Sequence, residues 1–278
     1  MIVFPCAKIN LGLNIVAKRP DGYHDLQTVF HPIPLYDAME VHVMNEEFPS
    51  DVPCDLLVSG MVLDGDSQDN LVVKAYHLLS KDFSLPRIHV HLYKGIPSQA
   101  GLGGGSSDAA FMIKLLDEMF KLDMGLAEME RYATRLGADC PFFISAEPSY
   151  ATGIGEVLSP VDAHGSLAGY HLLVVKPPVA VSTREAYASI VPQMPEKSCR
   201  DIVQQPIKTW REELTNDFEE SVFVLLPELA DIKNKLYELG AEYAQMSGSG
   251  SALFGIFSHK PTFDPSLFSG CQVYPLEM

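Results

Sequence analysis

Pro97-Ser98-Gln99-Ala100-Gly101-Leu102-Gly103-Gly104-Gly105-Ser106-Ser107 is the stretch from which the rest of the chain is read. It sets four glycines in the five positions 101–105. Glycine takes positive φ without steric cost and lets a ligand approach the backbone, so successive N–H groups can converge on an anion. The stretch runs into apolar residues at helical spacing: Met112, Ile113, Leu115, Leu116, Met119 and Phe120. Ser106 or Ser107 is the expected N-cap, with Asp108 in the first turn. The start of such a helix adds four free N–H groups and about half a positive charge. Together these make an anion site from backbone alone. The plain alternative is a flexible connector, which has no need of glycines and caps set so densely. A Walker loop is excluded, because Gly105 is followed by Ser106-Ser107 and not by Lys-Ser or Lys-Thr. A dinucleotide fingerprint counted from Gly101 meets Ser106 where its third glycine should stand.

Upstream, Ala7 to Ile15 alternates apolar and polar residues, which predicts a half-buried strand with Lys8, Asn10 and Asn14 on one face. Arg19-Pro20-Asp21-Gly22 has the chemistry of a tight turn. Met39 to Met44 and Ile88 to Tyr93 read as strands, and Asn70 to Leu79 as a helix. Downstream of the glycine loop a second helix, about Leu126 to Leu136, stops at Gly137 and leads into Ala138-Asp139-Cys140-Pro141. The second half opens near residue 160. It contains a strand at Tyr170 to Val175, helices at Asp217 to Leu226 and Pro227 to Leu239, a second glycine-serine loop at Met246 to Ser251, and a strand at Ala252 to Phe257. Strands and helices are interspersed without regular βαβ spacing, which makes the class α+β.

Composition narrows the function. With 278 residues, 47% of them hydrophobic, the chain can bury a large core as one big domain or two ordinary ones. A formal net charge of −16 argues against nucleic acid. It also means that any polyanionic substrate must be held by local N–H groups and a few cations, which screening over about 8 Å permits. The five cysteines are scattered, in no metal-ligand spacing, and read as reduced thiols, with Cys140 a packing residue. No signal segment and no run of about 18 apolar residues is seen, so no membrane is expected and the setting is the cytoplasm. Two charged residues stand out locally, each with two readings. Lys8 is either a buried lysine with a carboxylate partner or a surface lysine on an edge strand. Asp139 is either a functional carboxylate or a turn residue beside Pro141.

Three blocks, in order, resemble the galactokinase–homoserine kinase–mevalonate kinase–phosphomevalonate kinase (GHMP) superfamily: Lys8-Ile9-Asn10-Leu11, the loop at 101–107, and Ser247-Gly248-Ser249-Gly250. Further blocks are similar to its branch acting on 4-diphosphocytidyl-2-C-methyl-D-erythritol. They are Arg19-x-Asp21-Gly22-Tyr23-His24, Asp69-Asn70-Leu71, Gly137-Ala138-Asp139-x-Pro141, Gly153-x-Gly155-Glu156 and Asn216-Asp217, which span nearly the whole chain. Gln99-Ala100 stands where some relatives carry further glycine, Asp108 where others have Asn, and Met246-Ser247 departs from a threonine-containing version. A direct ATP contact is therefore not carried onto Asp108.

The resemblance implies a ribosomal-protein-like half at 1–155, a ferredoxin-like half at 156–278, and an active site in the cleft between them. ATP would lie under residues 97–107 with Asn70, accompanied by magnesium (Mg2+), for which the sequence picks out no protein ligand. Lys8 and Asp139 would be catalytic. Asn10, Tyr23, His24 and Phe30 would hold the acceptor with Asp139, the first two aromatic-ring residues after the turn reading its cytosine. Without the resemblance, Tyr23 packing on the core and His24 capping the turn is an equally open reading. The implied reaction is transfer of the γ-phosphoryl group of ATP to the acceptor's 2-hydroxyl. The rivals are another kinase of the superfamily, acting on homoserine, mevalonate or a sugar, and a nucleotide-binding sensor without catalysis.

Overall fold

The computed structural model describes residues 1–45, 47–61, 66–161, 167–188 and 190–278. In chain order the strands are β1 (Ile2–Val3), β2 (Cys6–Lys18), β3 (His24–Tyr36), β4 (Ala38–Val43), β5 (Cys54–Gly60), β6 (Ile88–Lys94), β7 (Ser149–Thr152), β8 (Val157–Pro160), β9 (His171–Lys176), β10 (Tyr243–Met246), β11 (Leu253–Phe257) and β12 (Gln272–Glu277). The helices used below are α1 (Leu71–Leu79), α2 (Gly104–Phe120), α3 (Leu126–Thr134), α4 (Phe142–Ser145), α5 (Thr183–Ala188), α6 (Phe218–Leu225) and α7 (Pro227–Glu238). The class is α+β, as expected. No described helix is long and apolar enough to cross a membrane.

The chain forms two compact units that interleave along the sequence. Unit 1 takes residues 1–7, 35–98 and 103–146, and unit 2 takes 8–34, 99–102 and 147–278. The expected halves, 1–155 and 156–278, are contiguous. The units are not, because most of β2 and β3 lies in the same sheet as β7 and β8.

In unit 1 the sheet runs β1-β4-β6-β5. Its parallel pair, β5 with β6, is joined through α1, as a parallel connection requires. Period-2 alternation buries Met39 and Val41 of β4 and Ile88, Val90 and Leu92 of β6. Helix α2 packs against α1, α3 and α4, burying Ala109, Met112, Ile113 and Leu116. That buried stripe, at 3–4 residue spacing, is what holds α2 in place even though it opens on two glycines.

In unit 2 an antiparallel sheet, β10-β11-β9-β12, carries α7 on β11. Leu173, Val175, Leu253 and Phe257 meet Phe218, Val222, Leu229, Ile232 and Leu236 in one core. The other sheet is β2-β3-β7-β8. β2 departs from expectation. It is buried on both faces from Cys6 to Ile15, so Lys8 and Asn10 are not at a wetted edge. The reason is a second layer of backbone: Leu13 N–H donates to Thr215 O (2.8 Å) and Asp217 N–H to Leu13 O (2.9 Å), which seals the strand. β3, a 13-residue strand absent from the sequence reading, follows the predicted turn, in which Gly22 N–H donates to Arg19 O.

Candidate active site

The glycine loop starts where β6 ends. Pro97 is buried, Ser98 and Gln99 are exposed, and Ala100 and Leu102 are buried. The chain passes from unit 1 to unit 2 over residues 99–102 and returns at Gly103. Gly101 has φ +74°, and a Cβ there would lie 1.9 Å from Ser247 O, so only glycine fits. Gly103 is the N-cap of α2, in the left-handed region at φ 72° and with no side-chain cap. The helix thus begins before the expected Ser106 or Ser107 cap, and Asp108 lies beyond the first turn. Close packing explains the shift: a Cβ at Gly104 would stand 3.0 Å from Ile96 Cγ2, so glycine lets the helix start directly against the exit of β6. The first-turn N–H groups of α2 have no intrahelical acceptor, which makes this end the anion-receptive one.

Three more groups belong to this end of unit 1. Asn70 is the N-cap of α1, its Oδ1 accepting from Val72 N–H at 2.9 Å, and the next residue, Leu71, lies 3.9 Å from where a Gly105 Cβ would be. Asp139 is half-buried in the turn between α3 and α4. The neighbouring Cys140 thiol is hydrogen-bonded to the Ser106 side chain, which ties this turn to the first turn of α2. Burial pushes that thiol up to about 11, with the Ser106 bond opposing and the Asp139 charge reinforcing the shift. Cys140 is therefore an inert packing residue.

Asp108 does not face outward as its place in the sequence suggested. It joins Asp37 and Lys94 in a buried triad. Lys94 Nζ donates to Asp108 Oδ2 at 2.5 Å and to Asp37 Oδ2. Burial pulls the Lys94 ammonium down, but the two carboxylates outweigh it and hold the pKa above the ordinary value. Burial pushes the Asp108 carboxyl up to about 8, against the pull of Lys94 and with the help of Asp37.

In unit 2, Lys8 is buried and its Nζ donates to Asn10 Oδ1 at 2.6 Å while lying 4.9 Å over the Phe30 ring. The orientation of Asn10 follows from counting protons. Thr28 Oγ1 gives its one hydrogen to Gly12 O (2.5 Å), so it must accept from Asn10 Nδ2 (2.9 Å). Asn10 is left presenting oxygen to the lysine. Its backbone N–H donates to Ser247 Oγ (3.3 Å), which donates to Gly101 O (2.9 Å). Lys8, Asn10, Phe30 and the Gly101 segment are therefore one assembly.

Tyr23 is 61% exposed, which sets aside the reading that it packs on the core. His24 stacks on Tyr187 of α5 at 4.8 Å and 20°, and Tyr187 meets Phe218 edge-on. Sequence reasoning missed Tyr187, Thr28 and the anchoring role of Asn216. A lone tyrosine 163 residues from its partner gives no local signal. Thr28 had one, since it lies two turns of alternation into the block after Tyr23-His24. Among the described residues no group of three or more His, Cys, Asp or Glu side chains is placed to hold a metal ion. That fits an ion carried on nucleotide phosphates and not one caged by protein.

Comparison with known proteins agrees with this geometry. The profile of the GHMP kinases N terminal domain matches residues 70–147 and that of the GHMP kinases C terminal matches 200–264. A Bacteroides fragilis protein named 4-diphosphocytidyl-2-C-methyl-D-erythritol kinase is 54% identical over 278 residues, all of both chains. One of the same name from Porphyromonas gingivalis is 48% identical, covering 98% of this chain and 97% of its own. A crystal structure of 4-(cytidine 5'-diphospho)-2C-methyl-D-erythritol kinase superposes with a TM-score of 0.80 at 29% identity, over 99% of this chain and 98% of that one. The homoserine kinase from Cytophaga hutchinsonii shares the fold, with a TM-score of 0.64 at 14% identity over 98% and 94% of the two chains.

Proposed function

Because the chain belongs to the 4-diphosphocytidyl-2-C-methyl-D-erythritol kinases of the GHMP superfamily, we propose that it phosphorylates the 2-hydroxyl of that cytidylylated alcohol with ATP, in the non-mevalonate route to isoprenoid precursors. The observation that carries the reading is the Ser106–Cys140 hydrogen bond. It sets the Asp139 turn beside the first turn of the helix that the glycine loop opens.

Phosphoryl transfer is governed by positioning and charge stabilisation more than by base strength. Residues 97–107, with Asn70 at their flank, hold the polyphosphate through backbone N–H groups, which suits a chain of net charge −16. Magnesium, bound mainly by the phosphates, neutralises charge on them when present. Asp139 orients the acceptor hydroxyl. An ionised carboxylate is a weak base toward an alcohol, so the proton reaches Asp139 late, as the oxygen–phosphorus bond forms and the bond to the departing ADP breaks. Lys8, held by Asn10 over Phe30, offsets charge on the transferring group. His24 and Tyr187, with exposed Tyr23 near by in sequence, supply the flat faces on which cytosine stacks. This chemistry belongs in the cytoplasm, where thiols such as the five free cysteines stay reduced.

A coupled assay of ADP release over a panel of alcohols tests the assignment. Turnover with the cytidylyl substrate, and none with mevalonate or homoserine, is expected; the reverse pattern sinks it. In the same assay Tyr187→Leu should raise KM for the cytidylyl substrate by roughly 5–150-fold, as loss of a base-stacking platform does, and leave KM for ATP alone.

A further inference from the structure

Both ends of the glycine loop meet unit 1 at the buried triad of Asp37, Lys94 and Asp108. The side chains of Lys94, Asp37 and Asp108 are 3%, 0% and 3% exposed. Asp37 sits between β3 and β4 and grips the departing end: its Oδ1 accepts the N–H of Gly95 (2.6 Å) and of Ile96 (2.8 Å), the two residues just before the loop. Asp108 lies on α2, just past the point where the loop returns. Lys94, the last residue of β6, donates to both carboxylates. A Cβ at Gly104 would stand 3.5 Å from its Nζ, so the ammonium lies directly against the first residue of α2.

A role in stability alone does not account for this arrangement. Removing three ionisable groups from water is costly, and well-packed apolar residues of similar size commonly do as well or better. What charges supply and methylenes do not is direction. A carboxylate that accepts two successive backbone N–H groups fixes the heading of the chain at Gly95 and Ile96. A lysine bonded to that carboxylate and to α2 then fixes the helix start relative to that heading. The charge balance also suits an anion site. With Asp108 protonated the triad is neutral, and it does not oppose the positive end of the helix above it.

Resting on the kinase reading above, we infer that Asp37, Lys94 and Asp108 are positioning residues for the nucleotide: they pin where the glycine loop leaves β6 and where it enters α2, and so fix how the intervening N–H groups spread around the polyphosphate. None of the three touches the reacting atoms.

Calorimetry with ATP alone and with the cytidylyl acceptor alone, together with melting curves, separates positioning from stability. In the triple variant Lys94→Met, Asp37→Leu, Asp108→Leu the melting temperature should equal or exceed that of the wild type. Its Kd for ATP should nevertheless rise by about tenfold or more, the loss of oriented charge-assisted bonds. Its Kd for the acceptor should stay within about twofold. Asp108→Ala should weaken ATP, and Asp108→Asn, which keeps shape and neutrality, should restore most of the affinity. A triple variant that binds ATP as tightly as the wild type would make the triad a packing device and overturn the inference. Where the triple variant yields no soluble protein, Asp37→Ala is read by the same two affinities, with the same expected and overturning results. Failure of the wild type itself to bind ATP is a different outcome: it overturns the kinase reading and this inference with it.

Discussion

The molecule contains two glycine-serine loops of similar composition, at 97–107 and at 246–251, and they are built in opposite ways. The first ends in a 17-residue helix, whose opening N–H groups have no intrahelical acceptor. The second joins β10 to β11 and turns its polar groups inward. Ser247 N–H donates to Ala252 O, and Gly250 N–H to Ser247 O. Asn216 Nδ2 donates to both Met246 O and Gly248 O at 2.8 Å. Ala252 N–H donates to Ala100 O and Ser247 Oγ to Gly101 O, so the second loop holds the middle of the first. Similar residues thus serve two purposes. What decides between them is whether a helix or a hairpin follows, because only the helix leaves donors without acceptors.

The contrast predicts that chemistry, nucleotide affinity and pH response separate cleanly. The largest effect lies in neither loop. Asp139→Asn and Lys8→Ala should each lower kcat by roughly 10²–10⁴-fold, the range for a group that handles the proton, with ATP affinity retained. The two losses should be less than multiplicative, since both residues serve one step. Steady-state kinetics of a full double-mutant cycle decides this, and strict multiplication would dissolve the pairing.

Next comes Gly101→Val, which strikes both loops at once. Its Cβ would meet Ser247 O at 1.9 Å, and its φ of +74° disfavours any other residue. Displacing the segment by an ångström should lower kcat/KM for ATP by about 10²-fold. A variant with native circular dichroism and native kcat/KM would show that the second loop does not shape the first. Asn216→Ala should be milder. It removes two hydrogen bonds that organise the second loop only, so KM for ATP should rise by about 3–15-fold with kcat little changed. An unchanged KM would confine Asn216 to unit 2 stability.

The smallest effect concerns pH, because the first loop is clamped by ionisable groups and the second by neutral ones. Burial raises the Asp108 carboxyl above its unfolded value, to about 8. The folded state therefore binds more protons than the unfolded state from about pH 4 to pH 8. The contribution of this group is fully present below the unfolded pKa and fades as pH rises through about 8. The melting temperature of the wild type should accordingly fall relative to Asp108→Asn between pH 6 and pH 9, by roughly 2–4 °C. A difference that stays flat with pH would mean that Asp108 is ionised throughout.

Local features were legible from the sequence wherever a few neighbouring residues decide the outcome. The α2 stripe, the turn at Arg19 to Gly22, the helices near 218–225 and 227–238 and the density of glycine at 101–105 were all readable. Each depends on φ preference or on periodicity within about two turns of chain. The site residues were legible in part. Lys8, Asn10 and Asp139 stand in blocks with a family resemblance, but nothing near Lys8 in the sequence showed that β2 would be buried on both faces, since its cover comes from residues 214–217. The strand β3 was missed because its burial alternates poorly and Pro32 and Pro34 interrupt it.

What only the tertiary structure decided are the partnerships across long sequence separations. Lys94 meets Asp37 over 57 residues and Asp108 over 14. Asn10 meets Ser247 over 237, and His24 finds Tyr187. The placement of the helix start at Gly103, and not at a serine, belongs with these, because it is Ile96 packing on Gly104 that settles it. A sequence states the intrinsic preference of each short segment. Which of two comparable preferences prevails, and where a buried charge turns, is set by whatever the fold brings against it, where an unpaired polar group costs more than most local propensities supply.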